Sequence, residues 1–460
     1  MCPIFVYEGI GTSCVFIRTL PNKVLTITVK GGRPNALTGM KTLLLLLLLP
    51  FISRADDLLI PMDAAQTDHL KAYGVAYMVL KNDGEVEWLL NYRGGSFLTP
   101  ATPALEAECR IRNVRFEHLT NGTAQRIRQE VAQPNTNTDA VKLLKASRIA
   151  VYSPIKISKA EFENTDAVLN VLTYAEIPFE VVYDEEIIKG DLAKFDWLHL
   201  HHEDFTGQLG RNLHRISPED MAAQKGLATK LGYAKLSQLK FDVAKRIKVF
   251  CAGGGFLFAM CSGAETFDIA LAAEGVDIVP SLYDGDGVDP QAQSKLDFSK
   301  TLAFQNFRLN LDDGDGYGGG ISFSTINSSA GRGGGWDAPS GYFQLFDFSA
   351  KFDVIPAMLV QNHEAVIREF FGQTTAFTKS TVKSSALVMG TSTSSDRYIY
   401  GELGRGQWTF YGGHDPEGTR GGGGNFRQAT DLNLHPHSAG YRLILNNVLF
   451  PSARKKKRKT

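Results

Sequence analysis

From residue 56 onward, apolar residues fall into short runs separated by polar turns. Residues 75–80 and 86–92 are β-rich and flank Asn82-Asp83-Gly84, a pattern that predicts a hairpin. Residues 106–112 and 124–131 have helical spacing. Together they read as a small α+β region over 56–140, closed by the polar stretch Gln133-Pro134-Asn135-Thr136-Asn137-Thr138. The pattern then alternates. Strands are expected at 148–152, 179–183, 197–201 and 255–260, and helices at 165–175, 185–192, 217–250 and 264–273. Strands alternating with helices imply parallel pairing through crossovers, hence a doubly wound α/β sheet. Sites in such sheets lie at the carboxyl ends of the strands. A glycine-rich insertion covers 281–350, within a domain spanning 146–450. Beyond it, β-rich runs are expected at 357–361, 374–378, 386–389, 397–402 and 407–411. The last two form a hairpin around Leu403-Gly404-Arg405-Gly406, and a closing helix covers 438–449.

The segment before residue 56 has a different character. Met40-Lys41-Thr42 precedes seven leucines, Leu43 to Leu49, and the run ends in Ser53-Arg54-Ala55. One positive charge, a short apolar run and a small-x-small end predict a secretory signal peptide over 40–55. The run is shorter than the ~20 residues a membrane span needs, so no span is expected after its removal. Residues 1–39 then read as an extension upstream of the true start. The expected address is outside the cytoplasm: periplasm, cell surface or medium. Lys+Arg and Asp+Glu are both 49. The basic groups concentrate before residue 56 and in the tail 451–460, leaving 37 basic against 48 acidic groups over 56–453. An acidic body argues against nucleic-acid binding. Three cysteines remain after residue 55: Cys109, Cys251 and Cys261. Three is odd, so at least one stays unpaired within the chain, and Cys109–Cys251 is one possible disulfide.

The sharpest chemical signal is Ala259-Met260-Cys261-Ser262-Gly263, between an apolar strand and a helix. That is the context of a nucleophile elbow, with helix amides positioned to lower a thiol pKa and hold an oxyanion. A thiol nucleophile needs a base and the base an orienter. Gly412-Gly413-His414-Asp415-Pro416-Glu417 follows a strand and offers His414 as base, with Asp415 or Glu417 as orienter. A second cluster, Leu198-His199-Leu200-His201-His202-Glu203-Asp204, closes the third strand. Alternation puts His199 and His201 on one face and His202 on the other. His202, Glu203 and Asp204 would line the pocket; a metal held by His202, Glu203 and His414 is the alternative. Asp284-Gly285-Asp286-Gly287 fails the calcium-loop spacing, since its sixth position is Asp289 and its twelfth Lys295. There is no phosphate-binding Gly-x-x-x-x-Gly-Lys-Ser/Thr loop, and no cofactor is expected.

The run from Ala252-Gly253-Gly254-Gly255 to Cys261-Ser262-Gly263, with Gly412-Gly413-His414, resembles class I glutamine amidotransferase-like domains over about 146–275 and 355–418. The resemblance implies a flavodoxin-like sheet, an oxyanion site near Gly254, Gly255, Ser262 and Gly263, and a Cys261–His414–Glu417 or Asp415 relay. Ala259 stands where that family has glycine, and His414-Asp-Pro-Glu417 is one residue longer than its His-x-Glu. Longer stretches, among them Trp88-Leu-Leu-Asn-Tyr-Arg-Gly-Gly-Ser96, Trp197-Leu-His-Leu-His-His-Glu-Asp204 and Phe410-Tyr-Gly-Gly-His-Asp-Pro-Glu417, resemble exported Bacteroidota proteins labelled asparagine synthetase B. The ATP-binding Ser-Gly-Gly-x-Asp-Ser loop of such synthetases is absent, and a chain cut after Ala55 would start at Asp56 rather than at their N-terminal cysteine. What the resemblance implies is therefore cysteine-dependent hydrolysis or transfer on a small amide-type substrate. The competing readings are a noncatalytic module that binds a protein partner on the same fold, and a metal-dependent hydrolase.

Overall fold

The computed structural model describes residues 14–19, 25–30, 56–154, 166–211, 216–311, 322–328, 342–353, 355–359, 364–368, 374, 376–417 and 429–453. The leucine-rich segment 40–55, expected to be a signal peptide, the acidic run 312–316, the glycine run 421–424 and the basic tail 454–460 lie outside them. The chain divides into two compact units, Met1–Ala55 and Asp56–Thr460. In the first, β1 (Cys14–Thr19) and β2 (Leu25–Lys30) pair antiparallel.

The second unit opens with a five-stranded antiparallel sheet. Its strands are β3 (Asp57–Ile60), β4 (Val86–Leu90), β5 (Ser96–Pro100), β6 (Glu117–Leu119) and β7 (Asp139–Leu143), in the order β6-β3-β5-β4-β7. β7 carries this sheet past residue 140. Three helices accompany it: α1 (His69–Lys81), α2 (Pro103–Ile111) and α3 (Asn121–Val131). The expected hairpin around Asn82-Asp83-Gly84 is not formed, because residues 75–80 belong to α1. The Asp68 side chain caps α1 by accepting from the Lys71 amide, and the Gly84 amide ends it on the Val79 carbonyl. Most of α1 is buried, so its apolar run lacks the polar stripe that marks a surface helix and reads like a strand.

The large sheet holds β8 (Ile149–Tyr152), β9 (Glu180–Val182), β10 (Trp197–Leu200), β11 (Phe256–Met260), β12 (Tyr342–Leu345), β13 (Val366–Arg368), β14 (Phe377–Thr378), β15 (Leu387–Thr391), β16 (Ser395–Leu403) and β17 (Gly406–Tyr411). Its helices are α4 (Ala167–Tyr174), α5 (Asp184–Lys189), α6 (Pro218–Lys230), α7 (Leu236–Ala252), α8 (Cys261–Ala272) and α9 (Ala439–Leu449). Five strands are parallel, in the order β9-β8-β10-β11-β17. An antiparallel extension, β16-β15-β12-β13, continues from β17, with β14 paired to β16. By rank along the chain the parallel strands run 2-1-3-4-5, so the direction of winding reverses between β8 and β10. That crevice is where α/β sheets open a binding site. The strand expected at 357–361 is instead a 3-10 turn at Pro356–Met358, where a proline cannot donate to a sheet ladder.

Strand alternation sorts the core. Trp197, Phe258 and Met260 face one side with α1, α4 and α9, and that core continues into the first sheet. Leu198, Leu257 and Ala259 face the other side with α7 and α8. The structure is thus an α/β fold with helices on both faces. Cys109 and Cys251 are buried in these two different cores, so the conceivable disulfide between them is not formed, and Cys261 is also a free thiol.

Candidate active site at the carboxyl edge of the parallel sheet

β11 ends at Met260 and α8 begins at Cys261 with no residue between them. The turn is tight enough that Cys261 takes φ +50°, in the left-handed region. For a non-glycine residue this costs about 1–2 kcal/mol. Gly263 makes the close approach feasible. Its amide donates to the His201 carbonyl at 2.8 Å, and a Cβ there would lie 2.5 Å from the same oxygen. The start of α8 is therefore pressed onto the end of β10.

The Cys261 thiol is 1% exposed. The sequence context predicts a lowered thiol pKa, and the structure reverses that. Burial pushes the thiol up to about 12, outweighing the Ser262 hydrogen bonds that lower it, and Glu203 and Glu265 nearby push the same way. At rest Cys261 is a neutral thiol, so a reaction there needs a base that takes the proton as the bond forms.

His414 leaves the same edge. Met260 is in register with Tyr411 across the parallel β11–β17 pair, and Gly412-Gly413 carry the chain on to His414. Gly413 takes φ +129°, which suits glycine. The His414 ring stacks on His201 with centroids 4.1 Å apart and 24° between planes. His202 lies 4.8 Å from His201 and 5.7 Å from His414, ring to ring. The elbow, the end of β10 and the loop after β17 thus meet in one cluster.

Behind it lies a buried layer. Asp166 caps α4 by accepting from the Val168 and Leu169 amides. Its Oδ2 lies 3.2 Å from His201 Nδ1 and 3.2 Å from His199 Nε2, and all three side chains are almost wholly buried. His199 Nδ1 faces the Phe258 carbonyl at 3.2 Å. Burial holds the His201 imidazole down at about 4, despite the pull of Asp166, so it is neutral near pH 7. Glu203 turns back to accept the His201 amide, and burial pushes its carboxyl up to about 8. Asp204 accepts from the Thr206 amide and hydroxyl in a local turn.

Several expected site residues go elsewhere. Gly254 and Gly255 precede β11 and sit at its amino end, about 20 Å of strand from Cys261. There they let the α7–β11 turn meet the β16–β17 hairpin: the Gln407 amide donates to the Gly255 carbonyl, and the Arg405 amide to Ala252. They contribute nothing to an oxyanion site. Ser262 and Gly263 remain at the elbow. Asp415 accepts from Thr430, Tyr441 and the Glu417 amide. Glu417 accepts from Ser438, and Arg368 and His435 also lie against it. These bonds anchor the segment around α9 and use the oxygens that the sequence assigns to orienting His414. The expected metal set also changes. Glu203 faces the backbone, while His201, His202 and His414 offer nitrogens within 4.8 Å of one another. Sequence reasoning missed Asp166 and Glu265. The first had a visible signal, an aspartate directly before the apolar run of α4 at the same sheet edge. The second is one acidic residue in a helix.

No family model matches the chain, and no curated protein matches it. Among solved structures, cytoplasmic protein STM3548 from Salmonella typhimurium aligns over 67% of this chain and 100% of its own, at 10% identity and a TM-score of 0.34. Cytoplasmic protein STM1381 from Salmonella typhimurium LT2 aligns over 66% and 99%, at 10% identity and 0.29. A beta-galactosidase from Bacillus circulans sp. alkalophilus aligns over 59% of this chain and 29% of its own, at 11% identity and 0.25. Likenesses this slight carry no argument about fold or function.

Proposed function

We propose that this chain performs cysteine-dependent hydrolysis or transfer at the carbonyl of a small amide-type substrate, on a flavodoxin-like, class I glutamine amidotransferase-like domain. The observation that carries the reading is the left-handed backbone of Cys261 at a strand–helix elbow on the parallel sheet's carboxyl edge. Strain of this kind persists where the surroundings enforce it, and functional sites are where it concentrates. The 2-1-3-4-5 strand order supports the flavodoxin-like assignment. The leucine run after Met40 supports export of the chain.

In this mechanism Sγ attacks the carbonyl carbon while its proton passes to His414. The new oxyanion is held by the Ser262 amide at the start of α8, the Gly263 amide being engaged by the His201 carbonyl. The C–N bond then breaks, and the amine leaves with the proton from His414. Water, or an acceptor amine, attacks the thioester, and the S–C bond breaks to restore the thiol. With Asp415 and Glu417 engaged at α9, the His414 ring is positioned by its stack on His201, which Asp166 backs.

One observation favours a noncatalytic binding module instead, namely the depth of the thiol. Chloroacetamide labelling of the full chain, read by peptide mass spectrometry, separates the two. A catalytic Cys261 labels ahead of the equally buried Cys109 and Cys251, and His414→Ala slows it. A binding module leaves all three equally inert.

A further inference from the structure

We infer that His201, His202 and His414 form a binding site for a divalent transition metal of the zinc class. Their nitrogens lie within 4.8 Å of one another, and burial falls from His201 through His414 to the exposed His202. His201 is fully buried, and its Nε2 has no hydrogen-bond partner among the described residues. Leaving a buried polar nitrogen unsatisfied is costly, and a ligand supplies what the protein does not. Its other nitrogen, Nδ1, lies 3.2 Å from Asp166 Oδ2. A carboxylate behind a histidine fixes its tautomer and strengthens it as a ligand. His202 is exposed and His414 half-buried, so an ion can arrive from solvent.

Imidazole donors suit zinc, copper and nickel rather than calcium or magnesium. Three protein ligands also leave a coordination position open to solvent or substrate. The His201 and His414 rings stack. Sharing one ion requires one of them to rotate until both nitrogens converge at about 2 Å from it. Two other groups among the described residues offer convergent donors, and neither competes. Asp166, His199 and His201 already close on one another in the interior. Asp277, Asp284 and Asp286 surround the Lys235 ammonium, which lies 2.6, 3.1 and 2.5 Å from them.

This site does not rest on the cysteine reading. A metal on His414 would, however, withdraw the base that reading uses, so metal and thiol chemistry would exclude one another. The test is calorimetric titration of the metal-stripped full chain with zinc chloride, with cobalt(II) absorption as a second probe of coordination. The expected result is one equivalent bound, weakened roughly tenfold or more in His202→Ala and in His414→Ala, and little changed in Cys261→Ala. His202 is exposed, so its substitution leaves the fold intact even if His201→Ala does not fold. Absence of stoichiometric binding, or binding equally tight in both histidine variants, overturns the site. Loss of zinc binding in His202→Ala with unchanged cysteine labelling would separate the two readings.

Discussion

At the scale of single residues, Cys261 is the point where local geometry opposes local preference. Within a helix, alanine is normally favoured over glycine by about 0.5–1 kcal/mol. At φ +50° the order should invert. Both substitutions delete the thiol, so their difference isolates the backbone. Cys261→Gly is expected to be more stable than Cys261→Ala by about 1 kcal/mol in urea denaturation. The ordinary order would show that the elbow is unstrained. The tight turn was legible in the sequence, since Gly263 and the strand-to-helix switch stand next to Cys261. The protonation state was not. It depends first on the near-complete exclusion of water, and less on Glu203 and Glu265, brought near by the end of β10 and by α8's own inward face.

At the scale of the element, α8 is unusual in burying two carboxyl groups. Asp268 accepts from the amides of Leu302, Ala303 and Phe304, at 2.7, 2.7 and 2.9 Å, and so pins the glycine-rich insertion to the sheet. Glu265 accepts from Ser324 at 2.8 Å and Thr374 at 2.9 Å. Burial pushes the Glu265 carboxyl from 4.5 up to about 7, and its hydrogen bonds offset only part of that. Below the unfolded value both states hold the proton. Between the two values the folded state holds it and the unfolded chain releases it, so rising pH favours unfolding. Glu265 should thus remove on the order of 3 kcal/mol of stability as pH climbs from 4.5 to about 7. Glu265→Gln is expected to flatten that part of the stability–pH curve, measured by urea midpoints across the range. An unchanged slope would place the proton elsewhere, with Glu203 the next candidate. Helix α1 shows the limit of pattern reading at this scale. Its run 75–80 has the apolar density of a strand because sheet and helices surround it, and only the Asp68 cap and the Gly84 turn mark it as helix.

At the scale of the whole unit, Asp56–Thr460 is organised around α9. Arg442 donates to the Gly94 carbonyl at 2.8 Å in the first sheet's turn, and Tyr73 of α1 donates to Asn446 at 2.5 Å. Asn446 in turn donates to the Leu359 carbonyl at 3.0 Å. The last helix therefore binds the opening sheet to the large one, and the core they share is continuous. The first sheet should not unfold separately. Fluorescence of Trp88, in the first sheet, and of Trp197, in the large one, is expected to change at the same urea concentration in single-tryptophan variants. Two separated midpoints would mean that the sheets are independent. The alternation of strands and helices foretold the parallel half of the large sheet. The antiparallel half was less legible, because its partners come from residues 342 to 411 with long loops between them. The histidine cluster was half legible for the same reason. His202 and His414 were marked by position, whereas the Asp166–His201 support depends on which strands lie side by side.

The proposed function requires that Cys261 be a nucleophile whose proton leaves through His414. Its most direct test is the pH dependence of chloroacetamide labelling at Cys261, in the full chain and in His414→Ala. A thiol with a pKa near 12 and no base would label about tenfold faster per pH unit up to pH 10 or beyond. With His414 as base, labelling is expected already at neutral pH with a shallow profile, against a steep, slow profile in His414→Ala. A steep profile in both proteins would contradict it and leave Cys261 as a buried structural thiol.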